Sequence, residues 1–154
     1  MVRYIESNYN VCKQKNGRAI TGLSMGGHGA LYLAIRHQDV YGAAGSTAGG
    51  VDIRPFPNNW EMSKRLGEYA TNKDKWSEYT VMEMLHLIKP NSLKIFIDCG
   101  NDDFFFEVNQ ELHRKMTYMN ISHSYLTMPG KHNWEYWMQS ISYQMAFFDQ
   151  FFRN

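Results

Sequence analysis

Residues Gly22-Leu23-Ser24-Met25-Gly26-Gly27 set a serine between two glycines at the junction of two unlike patterns. Before it, Arg18-Ala19-Ile20-Thr21-Gly22-Leu23 is a short apolar run opened by the turn residues Asn16-Gly17. After it, Met25 to His37 carries Leu31, Leu33, Ala34 and Ile35. The pattern predicts a strand, a sharp turn at Ser24 and a helix, the context that gives a glycine-flanked serine chemical meaning. A serine hydroxyl is a weak nucleophile until the backbone pushes it clear of the sheet and within reach of a base. Gly26, Gly27 and Gly29 each cost a helix up to about 1 kcal/mol against Ala, so three at a helix start need a reason. Close approach of that helix to neighbouring backbone is the structural reason; exposure of peptide N–H groups around the serine is the functional one.

Strand-like and helical periodicity keep alternating along the chain, which predicts an α/β fold with a mostly parallel sheet flanked by helices. Val2, Ile5 and Tyr9 mark a first helix, and the small residues of Tyr41 to Gly50 hold a buried strand. Asp52 to Lys89, with Pro55, Pro57, Trp60 and Trp76, reads as an excursion above the sheet with two helices. The second is expected to be capped by Thr80, with Glu83 three residues on. Leu93 to Cys99 is a strand, Gly100 to Asp103 a turn, and Phe105, Val108, Leu112 and Met116 a helix. A further strand, Ser122 to Met128, stops at Pro129-Gly130, and His132 follows in a loop. The final helix carries Trp134, Met138, Ile141, Met145, Phe148 and Phe152 on one stripe, which is expected to pack in the core. The 154 residues are expected to form a single domain, 1–154.

Charge narrows the partners. Sixteen basic and 15 acidic residues give a net charge of +1 with no block of either sign, so no footprint for nucleic acid or an anionic membrane surface is expected. A small neutral or weakly charged substrate fits better. No apolar run approaches the roughly 20 residues of a membrane span, and the opening Met1-Val2-Arg3-Tyr4-Ile5-Glu6 lacks a signal peptide's apolar middle, so a soluble chain is expected. Cys12 and Cys99 are the only cysteines and show no metal-ligand spacing, so neither a disulfide framework nor a metal site is expected.

In a mostly parallel sheet, reactive groups gather at the carboxyl ends of the strands. Ser24, Asp103 and His132 each follow a predicted strand, in the order Ser, Asp, His. The division of labour is then nucleophile, orienting acid and general base. Asp102 competes with Asp103 for the acid role, and nothing in the pattern separates them. Asp98 still belongs to the strand. His28, His37, His86, His113 and His123 fall within predicted helices or strands and read as structural.

Three blocks together, Gly22-Leu23-Ser24-Met25-Gly26-Gly27-His28-Gly29-Ala30-Leu31, Asp98-Cys99-Gly100-Asn101-Asp102-Asp103-Phe104 and Pro129-Gly130-Lys131-His132-Asn133-Trp134, resemble the esterase D group of α/β-hydrolases. That group includes feruloyl and acetyl-xylan esterases, tributyrin-type esterases and S-formylglutathione hydrolases, with mycolyltransferases as relatives. The resemblance implies a serine carboxylesterase working through an acyl-enzyme, with no metal or organic cofactor. It matches Ser24 to the nucleophile and His132 to the base, and its Cys-Gly-x-x pattern assigns the acid to Asp103. It also implies Met25 N–H as one oxyanion donor and Trp134 as a wall of the acyl pocket. The Asn-Trp pair after the histidine leans toward carbohydrate esters. Members begin with further strands and a glycine-containing loop that gives the second oxyanion donor, whereas this chain starts at the helix before the nucleophile strand. An N-terminally truncated, partial α/β-hydrolase fold is therefore expected, with an uncovered sheet edge open to pairing with another copy. The rival expectations are a thioesterase like the S-formylglutathione hydrolases, or a binding and assembly fragment without turnover.

Overall fold

Along Lys94–Gly100 the side chains alternate in the way a strand buried on both faces requires, with Ile95 and Ile97 on one side and Phe96 and Asp98 on the other. In the computed structural model, which describes residues 1–153, this segment (β3) is central to a parallel sheet. Its companions are β1 (Ala19–Leu23), β2 (Ala43–Thr47) and β4 (Ser124–Met128), in the order β1-β2-β3-β4. Each strand lies beside the one that precedes it in sequence. The helices are α1 (Val2–Asn8), α2 (Met25–Arg36), α3 (Met62–Leu66), α4 (Lys73–Glu78), α5 (Phe106–Tyr118) and α6 (Trp134–Arg153).

One core fills the face under α2 and α5. Leu31, Ala34 and Ile35 of α2 and Val108, Leu112 and Met116 of α5 close over Ala44, Ile95 and Ile97. Val81, Met82, Met84 and Leu85, from two short 3-10 turns (Val81–Glu83 and Leu85–Leu87) and the residue between them, fill the gap. Those turns stand where a Thr80-capped helix was expected. Thr80 Oγ donates back to Trp76 O at 2.9 Å and makes no cap bond, because the main chain folds inward at once to bury Val81.

The opposite face corrects the reading of α6. Trp134, Met138 and Met145 are 67%, 68% and 61% exposed, and Ile141 and Phe152 are exposed too; of the expected apolar stripe only Phe148 is buried. The stripe that meets the sheet is Tyr136, Ser140, Gln144 and Phe148. The cause lies in the sheet, whose α6-facing side presents Thr21, Thr47 and a fully buried Asp98. A buried carboxylate must be hydrogen-bonded, so the polar side of the helix turns inward. α6 lies over β2 and β3, leaving Thr21 of β1 exposed and the outer edge of β1 unpaired by any described strand.

Candidate active site

The turn after β1 is as sharp as the glycines imply. Ser24 holds φ 55° and ψ −120°, a left-handed conformation that costs a non-glycine residue about 1–3 kcal/mol unless its surroundings enforce it. They do. Its N–H donates to Thr47 O at 2.9 Å, and its carbonyl accepts from His28 N at 3.1 Å and Gly50 N at 3.3 Å. The hydroxyl makes no helix-capping bond; it points instead at an imidazole.

Close approach explains Gly22 and Gly27. A Cβ at Gly22 would come within 2.4 Å of the Gly26 carbonyl carbon, and one at Gly27 within 2.6 Å of Ser46 Oγ. Gly26 and Gly29 have open space where a Cβ would go, so packing does not account for them.

Ser24, Asp103 and His132 come together. His132 Nε2 is 2.9 Å from Ser24 Oγ, and His132 Nδ1 is 2.7 Å from Asp103 Oδ2. A carboxylate can only accept, so Nδ1 carries the ring proton and Nε2 offers its lone pair to the serine hydroxyl. The other oxygen of Asp103 accepts the Phe105 N–H at 2.8 Å, which fixes the carboxylate plane from within its own turn. That separates Asp103, whose side chain is fully buried, from Asp102, which is exposed and joins the next loop only through its N–H to Gly130 O. Met25 opens α2, so its N–H is among those with no partner inside the helix, beside the serine.

Aromatic rings frame the imidazole. Phe104 lies 4.3 Å from the His132 ring centroid to centroid, and Trp137 meets it edge-on at 5.1 Å. Phe104 continues into a half-exposed wall through Trp60, 6.0 Å away. Trp60 and Glu61 both hold left-handed backbone, φ 53° and φ 54°, so this wall stands on a strained turn. Trp134, the residue singled out in the sequence, packs on Trp137 at 5.2 Å rather than on the histidine. With Leu23, Thr47, Trp137, Met138 and Ile141 it lines a neighbouring apolar cavity of about 210 Å³. Phe104 and Trp137 were missed in the sequence, although one follows the acid directly and the other lies five residues past the histidine.

The remaining histidines stay apart from this cluster. His28 Nδ1 is 3.0 Å from Gly50 O, and burial pushes its pKa below the usual value. His113 and His123 bond each other at 2.8 Å. Cys99 is buried, and its burial and the nearby Asp103 and Asp98 raise its thiol's pKa far out of the reactive range. Among the described residues no group of three or more His, Cys, Asp or Glu side chains is placed to hold a metal ion, and no helix is long and apolar enough to cross a membrane.

The family model named "Esterase" and described as "Putative esterase" matches residues 1–148. The chain belongs to this esterase family. A curated relative, S-formylglutathione hydrolase of Mus musculus, is 30% identical over 108 residues, covering 70% of this chain and 37% of the relative. The Arabidopsis thaliana S-formylglutathione hydrolase is 32% identical over 88 residues, 57% of this chain and 30% of that one. Among solved structures, a ferulic acid esterase superposes with a TM-score of 0.81 at 27% identity, over 98% of this chain and 58% of that one. An S-formylglutathione hydrolase from Staphylococcus aureus does so with a TM-score of 0.80 at 20% identity, over 95% and 59%. The chain thus spans well under half the length of those curated relatives, and the fold they share is that of the α/β-hydrolases.

Proposed function

We propose that this chain carries the nucleophile, base and acid of a serine carboxylesterase acting on acyl esters of carbohydrates or small alcohols. The observation that carries the reading is the single imidazole within hydrogen-bond distance of both the Ser24 hydroxyl and the Asp103 carboxylate. In the reaction, Ser24 Oγ bonds to the ester carbonyl carbon as its proton passes to His132 Nε2. The carbonyl oxygen takes the electron pair and faces the Met25 N–H, while Asp103 stabilises the imidazolium and holds its orientation. The alcohol leaves with the proton from Nε2. Water then attacks the acyl-enzyme by the same steps, releasing the carboxylic acid and restoring the serine.

The half-exposed Phe104 beside the imidazole, with Trp60 next to it, favours an ester bearing a flat or ring-shaped group, since such faces stack on sugar rings and planar acyl groups alike. A second reading, hydrolysis of a glutathione thioester, draws support from the two S-formylglutathione hydrolase relatives. A fluorophosphonate probe tests the shared chemistry. Covalent labelling that disappears in Ser24→Ala is the expected result, and a folded parent chain that takes no label counts for a binding fragment without turnover. Rates on a feruloyl or acetyl sugar ester against S-formylglutathione then separate the two substrate classes.

A further inference from the structure

A carboxylate buried beneath α6, Asp98, takes no part in the chemistry above. Asp98 is 0% exposed, has no cation among its bonded partners, and accepts four hydrogen bonds from neutral groups. Thr47 Oγ1 donates to Oδ2 at 2.9 Å and Gln144 Nε2 to the same oxygen at 2.9 Å. Ser140 Oγ donates to Oδ1 at 2.7 Å and Tyr136 OH at 3.1 Å. Gln144 continues the network to Thr21 of β1 through its other amide atom. Such a group is costly to bury: desolvation raises its pKa, and the four donors pull the other way.

What those donors are attached to gives the network its meaning. Thr47 is the residue whose carbonyl holds the Ser24 N–H. Thr21 lies in β1, three residues before the serine. Asp98 is in β3, whose end carries the turn that closes with Asp103 N donating to Gly100 O. Tyr136 packs its ring against the loop before His132, so closely that a Cβ on Gly130 would come within 2.4 Å of its Cδ2. Gly130 O in turn accepts the Asp102 N–H. Three segments far apart in sequence thus converge on one carboxylate beneath the site.

We infer that Asp98 is a positioning residue for the triad: its buried carboxylate, through Thr47 and Tyr136, ties the Ser24 turn and the His132 loop to the strand that carries Asp103. It rests on the triad reading and adds to it a residue that touches no substrate. A misplacement of about 1 Å in a catalytic constellation costs on the order of a hundredfold, so loosening this tie should be felt in the chemical step.

The test uses Asp98→Asn, which keeps the shape and removes acceptor capacity, and Tyr136→Phe, which keeps the ring on Gly130 and removes one donor. Fluorophosphonate labelling of the intact chain is resolved into a half-saturating concentration and a limiting rate. The low-field proton NMR signal of His132 Nδ1–H reports its bond to Asp103. The limiting rate is expected to fall ten- to a hundredfold in both variants, with half-saturation unchanged within twofold and the low-field signal shifted or broadened. Leu112→Ala, which damages the core on the other face of the sheet, should leave all three readouts near the parent's while lowering the melting temperature. Parental rates and an unmoved signal in folded Tyr136→Phe would overturn the inference, as would losses that merely track those of Leu112→Ala. Should Asp98→Asn fail to fold, Tyr136→Phe and Ser140→Ala decide the matter. A parent chain with neither labelling nor low-field signal sinks the triad reading and this inference together, whereas a parent with both and an indifferent Tyr136→Phe sinks this inference alone.

Discussion

Ser24 shows most directly how function and stability pull apart in this chain. Its left-handed backbone is a strained choice for serine and an easy one for glycine. Ser24→Gly is therefore expected to melt above the parent, by the equivalent of about 1 kcal/mol, while losing its fluorophosphonate reactivity; a lower melting temperature would show that the turn is unstrained. Asp103→Asn, with geometry kept but the wrong partner for Nδ1–H, should lower turnover by about three to four orders of magnitude, measured as initial rate on a chromogenic ester. Nearby glycines divide into two kinds. Gly26→Ala and Gly29→Ala meet open space and should each raise helix stability by up to about 1 kcal/mol, whereas Gly22→Ala must displace backbone at Gly26 and should destabilise in a urea melt. The sequence pointed to the serine, the histidine and the Asp102-Asp103 turn that the structure brings together, because each stands just past a strand. It could not choose between Asp102 and Asp103, since that depends on which carboxylate the Phe105 N–H captures inside the turn. Nor could it see that Trp137, and not Trp134, meets the imidazole.

Helix α6 carries the lesson at the next scale. Its apolar stripe, from Trp134 to Phe152, is plain in the sequence, and the structure has a helix there, Trp134–Arg153. Which side faces inward is a property of the partner surface, and one buried acid on β3 reverses it. Strands are legible within one to three residues for the same reason that α6's orientation is not: alternation is local, orientation is tertiary. The Asp52–Lys89 excursion was recognised as such, but its Thr80 cap failed because a Thr-x-x-Glu pattern cannot reveal that the next residue, Val81, is needed in the core. Met138→Glu is accordingly expected to change the stability by no more than about 0.5 kcal/mol and to raise the concentration at which the chain stays in solution, read by light scattering. Phe148→Ala, from the buried side of the same helix, should cost about 3 kcal/mol in denaturant unfolding.

For the molecule as a whole, acid is the informative stress. Burial lowers the pKa of His28, and that of His113 is likewise lowered, by desolvation and by its neighbours His123 and Arg114. In the unfolded chain both take up a proton near the ordinary imidazole pKa of 6.5. Near that pH the unfolded state binds more protons than the native one, so stability falls as pH drops, by at most about 1.4 kcal/mol per pH unit for the buried His28 and by less for the more exposed His113. Melting temperatures between pH 7 and pH 5 should show that decline, and His28→Gln should flatten it; a slope unchanged by the substitution would exclude His28 as a contributor. The sheet also has a direction in time. Its strands are laid down in the order in which they lie side by side, so a nascent chain emerging from the ribosome can add each one to an existing edge. Thr47 is in place before Asp98, but the other three donors to Asp98 arrive last, on α6. Until Tyr136, Ser140 and Gln144 have been synthesised the growing sheet harbours a carboxylate with three of its four donors missing, so chains interrupted before Tyr136 should be prey for quality-control proteases.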